Sequence, residues 1–343
     1  MWIIRGVLAI TIAMLAVGCG SGDDAASSNG AAAEGASAAP AVNPPPGAAA
    51  AGATPAAAQA AATSDARRCP PDLSTPGPAD GAPVDDILGV RPGQTFDEVQ
   101  AILACREEGY QVDPGSVWSV RNTQGLPTRQ LLRATNGVPC TSQDIARSMR
   151  SLHGDGECSS GPQGSGLSMV KNATDEVWVA FTGLHGQEVA GAVWRSRDYQ
   201  VDAKPTVESL QQALIAKYGE PSVAETLTRN RMPLRTGDVA FTWVYDLRGR
   251  KLSSENPMYQ RCNNVNHRFF GAHRWSGECG LSVSAGIRKD PRNNLLADTL
   301  TIGIMNQKDF YDRGQAFEAA IATAVEEQRQ QAARDAASVQ TDL

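Results

Sequence analysis

The chain has 343 residues, 31 basic and 37 acidic, for a net charge of −6. At 41 % hydrophobic and 20 % charged it is not a disordered polyelectrolyte, and a pI near 5.3 gives no basic footprint for nucleic acid. Its 33 glycines and 20 prolines, with many alanines, crowd toward the N-terminus, so the totals acquire meaning only after the chain is divided.

Residues 1–18 read as a targeting segment. Arg5 supplies the positive start, and the apolar run Val7 to Val17 follows, broken only by Thr11. Its 11 residues are too few for a transmembrane helix, which needs roughly 17–25, and they suit the core of a signal peptide. The run ends in Leu15-Ala16-Val17-Gly18-Cys19, which resembles the lipobox of bacterial lipoproteins. The resemblance implies that Cys19 is lipidated and becomes the mature N-terminus, anchored to a membrane. With Gly20 and Ser21 rather than Asp after the cysteine, it also implies the periplasmic face of the outer membrane.

Residues 21–66 hold 21 Ala, 5 Pro and 5 Gly and no aromatic, Leu, Ile or Met. Such a stretch cannot bury enough apolar surface to offset its own ordering entropy, and Pro40, Pro44, Pro45, Pro46 and Pro55 interrupt any long helix. From Cys19 to residue 66 the chain reads as a disordered tether, and a flexible segment of this length spans roughly 35–40 Å.

The body, residues 67–343, carries 30 basic and 33 acidic residues, a net charge of −3, once Arg5 and the acids Asp23, Asp24, Glu34 and Asp65 are set aside. Six cysteines lie in it: Cys69, Cys105, Cys140, Cys158, Cys262 and Cys279. An even number in an exported chain reads as disulfides. Fifteen connectivities are open to six cysteines, and sequence neighbours favour Cys69–Cys105, Cys140–Cys158 and Cys262–Cys279.

In chain order the first element is a helix opened by the capping box Thr95-Phe96-Asp97-Glu98, with Phe96, Val99, Ile102 and Leu103 at helical spacing. Thr141 to Leu152 forms a weaker helix, with Ile145, Met149 and Leu152 on one side. Val177, Val179 and Phe181 then alternate as a strand, and Gly183-Leu184-His185-Gly186 turns the chain into a second strand, Val189 to Trp194. Thr206 opens another helix through Val207, Leu210, Leu214 and Tyr218, stopped by Gly219 and Pro221. Strands follow at Val239 to Tyr245, Leu281 to Ile287 and Leu300 to Ile304, and a closing helix carries Phe317, Ile321 and Val325. Helix then strands, twice, with hairpin-length links, argues for an α+β class: antiparallel sheet with helices packed on one face, in modules 67–200 and 201–343 that could share one sheet.

Leu88-Gly89-Val90-Arg91-Pro92-Gly93-Gln94-Thr95 with Asp97-Glu98-Val99 resembles the helix opening of small SmpA/OmlA-type outer-membrane lipoproteins, and Lys217-Tyr218-Gly219-Glu220-Pro221-Ser222 is similar to the helix ending in such folds. These folds are related to β-lactamase-inhibitor-protein modules, and the chain also resembles uncharacterised proteobacterial lipoproteins. The match covers about thirty residues in two pieces. It implies helix-plus-sheet modules that bind proteins without catalysis.

The stretch Arg261 to Cys279 gathers the candidate recognition chemistry. Arg261, His267, Arg268, Phe269, Phe270, His273, Arg274 and Trp275 lie between Cys262 and Cys279 or beside them, opposed only by Glu278. A cystine-clamped loop with arginines and aromatics is a recognition surface of the kind enriched at binding hot spots, unless the aromatics pack beneath the loop and the arginines are solvated. Cys262, His267, His273 and Cys279 are too unevenly spaced for a zinc site in an exported chain. Ser168-Met169-Val170-Lys171 spells the Ser-x-x-Lys of penicillin-recognising enzymes, but Ser254-Glu255-Asn256 and Arg235-Thr236-Gly237 come in the wrong order for their other two motifs. His153, His185, Asp85-Asp86 and Glu107-Glu108 read as solvated turn and helix-end residues. No phosphate loop, dinucleotide fingerprint or other cofactor motif is present. The expected role is binding or scaffolding of an envelope protein partner. The alternative is an envelope hydrolase with a dispersed site.

Overall fold

The computed structural model describes residues 82–106, 109–115, 123–150, 158–159, 166–230, 234–263 and 276–337. Residues 1–81, where the sequence reading expects a signal segment, Cys19, a tether and Cys69, lie outside them. The described elements, in order, are α1 (Phe96–Ala104), β1 (Gln111–Gly115), β2 (Leu131–Thr135), β3 (Val138–Pro139), α2 (Ser142–Arg150), β4 (Cys158–Ser159), β5 (Val170–Lys171), β6 (Asp175–Thr182), β7 (Val189–Asp198), α3 (Val207–Tyr218), β8 (Val223–Thr226), β9 (Val239–Val244), α4 (Pro257–Cys262), β10 (Leu281–Lys289), β11 (Ala297–Asn306) and α5 (Gln307–Ala337). The fold is α+β: an eight-stranded antiparallel sheet ordered β1-β2-β6-β7-β11-β10-β9-β8, beside a small sheet β3-β5-β4.

Local chemistry explains the helices. Thr95 caps α1, and Glu98 returns a 2.7 Å bond from the Thr95 N–H, so the capping box forms as its residues require. Thr206 caps α3, which ends at Gly219 with φ +75°, a left-handed stop that favours glycine. Alternation places Val177, Val179, Phe181, Val193, Phe241, Trp243, Val283 and Ile304 on one face, where α1 and α3 cover them in a core shared by both halves. The closing helix goes to the other face. There Phe310 of α5 packs with Leu131, Trp178, Ala180, Ala192, Trp194 and Met305.

The two halves repeat each other in backbone pairing. The N–H of Phe96 donates to Glu188 and that of Ala190 to Gln94; in the second half Val207 donates to Leu295 and Ala297 to Pro205. Both cap residues bridge the head of the last strand in their own half, Thr95 to Val189 and Thr206 to Leu296. Each half has one bulge in its last hairpin, at Gly191 between the pairs Phe181–Ala190 and Ala180–Ala192, and at Asp298 between Lys289–Ala297 and Arg288–Thr299. Each half also inserts a cystine-bearing segment between its second and third strands.

Their side chains differ where their backbones agree. The positions equivalent to Leu131, Trp178, Ala180, Ala192, Trp194 and Met305 are Asp238, Gly286, Arg288, Thr299, Thr301 and Asp198. Only the first half therefore offers an apolar seat. The seat takes α5, whose buried side chains Phe310, Phe317 and Ile321 need one. In the second half the matching region carries ion pairs: Arg288 to Asp298 at 2.8 Å and Lys204 to Asp290 at 2.5 Å and Asp298 at 2.8 Å.

Candidate binding surface at the Cys262–Cys279 neck

The second cystine insert is built on α4. Asn256 accepts the N–H of Met258 at 2.9 Å, Pro257 starts the helix, and Tyr259 fixes it to the sheet through a 2.6 Å hydroxyl contact with Thr242. The helix delivers Cys262 to Cys279, and their disulfide brings the Cα atoms to 5.5 Å. Both cysteines are buried with Val244, Leu252 and Tyr259. His267, Arg268, Phe269, Phe270, His273, Arg274 and Trp275 lie outside the described residues. What the structure describes is the neck on either side of them in sequence.

That neck is tightly held. Ser282 Oγ donates to the Cys262 carbonyl at 2.7 Å, and Gln307 Nε2 donates to the same carbonyl at 2.6 Å and to Ser282 Oγ at 2.8 Å. The N–H groups of Gln307 and Lys308 donate to the carbonyls of Gly280 and Cys279. Gly280 passes so close to the Asp246 carbonyl that a side chain there would collide with backbone. At the mouth, Arg261 is paired with Glu278 at 3.1 Å, and both side chains are about two-thirds exposed. The pair contributes little stability. Tyr311 of α5 lies against Gly277 and is partly exposed beside the mouth.

The disulfides agree with the neighbour pairing at Cys140–Cys158 and Cys262–Cys279. Cys105 is disulfide-bonded as well, its partner lying outside the described residues. With Cys262 and Cys279 joined, neither supplies a thiolate to a metal, and no group of three metal-ligating side chains occurs among the described residues. Ser168 does not open a helix: it precedes β5, its N–H donates to Asp113 at 2.7 Å, and its carbonyl accepts from Arg133. Lys171 is committed to Asp144 at 2.8 Å, a bond that with Thr141 holds that carboxyl well below the usual range. His185 does sit in the β6–β7 turn, and His153 and Glu107-Glu108 lie outside the described residues.

One reading changes. Asp85 and Asp86 are not a solvated face. Burial pushes the Asp85 carboxyl up against the lowering effect of Arg91, and Asp86 accepts from Lys217 of α3 at 3.0 Å and from the Gly89 N–H. Glu188 has a role that the sequence left unread. Arg129 grips it from Nε and Nη2 at 3.0 and 2.8 Å, the Gly186 N–H adds a third bond, and Arg129 also reaches Asp97 and lies 4.1 Å over the Phe96 ring. Burial raises the carboxyl, but these donors outweigh it and lower it to about 2. The one visible signal is an acid placed between a hairpin turn and an apolar strand.

Glu188, Asp144, Asp175, Asp290 and Asp298 are thus engaged in fixing elements to one another, while Arg261 and Glu278 stand exposed at the end of a braced neck. Among the described residues no helix is long and apolar enough to cross a membrane. No known protein family, curated protein or solved structure matches the chain.

Proposed function

We propose that the chain is a lipid-anchored bacterial envelope protein that works as a non-catalytic binding or scaffolding module. The observation that carries this reading is the braced Cys262–Cys279 neck, between whose cysteines the sequence places most of the Arg- and aromatic-rich stretch Arg261 to Trp275. Holding a loop at both ends reduces the entropy lost on binding, and Arg and Trp are the residue types that dominate hot spots. The lipobox-like Cys19 and the Ala/Pro-rich tether supply attachment and reach, and the resemblance to SmpA/OmlA-type lipoproteins points the same way. The ion pairs at Glu188, Asp144, Asp290 and Asp298 keep these carboxylates ionised and occupied, which suits architecture.

Photo-crosslinking in intact cells tests the binding surface. A crosslinker placed at Phe269, Phe270 or Trp275 should capture one defined envelope protein, and Arg268→Ala should weaken that capture. If these positions yield no more product than crosslinkers at Met149 or Leu247, which are exposed elsewhere on the body, the loop is not the binding surface. Fractionation tests the anchor separately: Cys19→Ala should move the protein out of the membrane fraction, and retention there would sink lipidation.

A further inference from the structure

The first backbone N–H groups of a helix have no partner within it, and side-chain caps commonly supply one. In α5 the cap comes from elsewhere. The N–H of Gln307 goes to Gly280 and that of Lys308 to Cys279, while Asp309 takes Asn306 Oδ1 at a long 3.3 Å. The Gln307 side chain then crosses to the other limb of the neck, where it and Ser282 share the Cys262 carbonyl. The first turn of α5 therefore spans both limbs of the neck and holds the carbonyl of each cysteine. Gln307 and Ser282 are fully buried, so none of these bonds can be exchanged for water without opening the structure. Gln307 Oε1 has no partner in its buried place, so the amide is held by its donor side alone.

Beyond its first turn α5 is seated on the sheet only as far as Ile321, and from Glu326 to Ala337 every position is exposed. We propose that the Cys262–Cys279 neck and the first turn of α5 are one cooperative element, so that opening either one loosens the other. The coupling itself is a property of the free chain. By linkage it acts in both directions: loosening α5 opens the neck, and opening the neck loosens α5.

The test uses the whole protein and no partner, so its outcome is independent of whether the loop binds anything. Reduction of each disulfide by dithiothreitol is followed by alkylation and mass spectrometry, with Cys140–Cys158 as internal control. Gln307→Ala, which removes two bonds to the neck, should speed reduction of Cys262–Cys279 by about fivefold or more, the factor that corresponds to one lost hydrogen bond. Reduction of Cys140–Cys158 should keep its rate. Ser282→Ala, a milder change, should act in the same direction. In the opposite sense, Cys262→Ser with Cys279→Ser should raise hydrogen exchange at residues 308–312 and leave 207–218 unchanged. An unchanged Cys262–Cys279 rate, equal acceleration of both disulfides, or exchange that rises equally in both helices overturns the proposal.

Discussion

Arg195 stands directly opposite Ile302 in the β7–β11 ladder, and the backbone correspondence of the two halves maps each of these residues onto the other. A pseudo-two-fold axis therefore passes through this pair. The sheet is a closed pairing of two helix-plus-four-strand units through their last strands, the arrangement of an isologous dimer written in one chain. The axis also marks the asymmetry. Arg195 is neutralised by Asp175 through two bonds of 2.9 and 2.5 Å, whereas Ile302 packs against the core.

The charged end of that seam predicts a salt response. Lys204 is raised by its hydrogen bonds to Asp290 and Asp298, and the bond to Lys204 is the main reason that Asp290 falls to about 2. Lys204→Met should lower the melting temperature in dilute buffer, and the difference from the parent should narrow only in part in molar salt, because pairs this buried are screened much less than exposed ones. A difference that does not depend on salt would assign the role of Lys204 to packing alone.

Glu188 predicts an acid response. Its carboxyl titrates near 2 in the folded chain against an ordinary value of 4.5, so its contribution is complete above 4.5 and is lost as pH falls from there toward 2. A shift of that size corresponds to about 3 kcal/mol. Glu188→Gln should therefore destabilise the protein at neutral pH by up to about that amount, and the gap should close near pH 2. Circular-dichroism melts from pH 7 to pH 2 decide the matter, and parallel curves would contradict it.

Gly191 predicts a steric conflict. Phe310 occupies the space that a Cβ at position 191 would need, overlapping it within bonding distance. Gly191→Ala should cost about 1–3 kcal/mol by overpacking, and Phe310→Ala about 3–5 kcal/mol by emptying the seat. The double variant should be less unstable than the sum of the two, because the smaller side chain at 310 leaves room for the new methyl. Urea titration of the four proteins supplies the cycle, and strict additivity would mean that Phe310 does not sit where the structure places it.

Trp243 predicts a link between core and helix end. Its indole N–H donates at 2.7 Å to the carbonyl of Gly219, the residue that caps α3. Trp243→Phe should lose about 1–2 kcal/mol through the unmade bond, beyond the cost of the smaller ring. Faster amide exchange in the last turn of α3 would trace the loss to that bond, and an unchanged rate there would assign it to packing.

Much of the fold was legible because its signals are local. The Thr95–Glu98 box lies within one turn, the alternation in β6, β9 and β10 needs only period two, and Cys140–Cys158 and Cys262–Cys279 close short loops. What escaped depends on distant partners. All five positions of β2 are buried, so it shows no alternation, and its central Arg133 is sustained by Asp113 and Ser168. Glu188 meets Arg129 across 59 residues. Strands β3, β4 and β5 are two residues each, too short to show a period. The repeat is carried by register, bulges and caps rather than by side chains, so composition hides it. At the candidate site the clamp and Arg261 were readable. The braces from Gln307 and the pairing of Arg261 with Glu278 were not, because nothing near either cysteine announces a helix that begins 28 residues after Cys279.

The pseudo-two-fold pairing also decides where the sheet can grow. By consuming β7 and β11 against each other, it leaves β1 and β8 as the margins among the described strands. Neither invites a neighbour. The first carries Asp113 and Pro114, a charge and a residue with no N–H to offer, and the second is four residues long with Glu225 in it. The eight-stranded ladder thus ends at both sides in an edge that discourages a further strand, and association through this sheet is left to side chains rather than to strand edges.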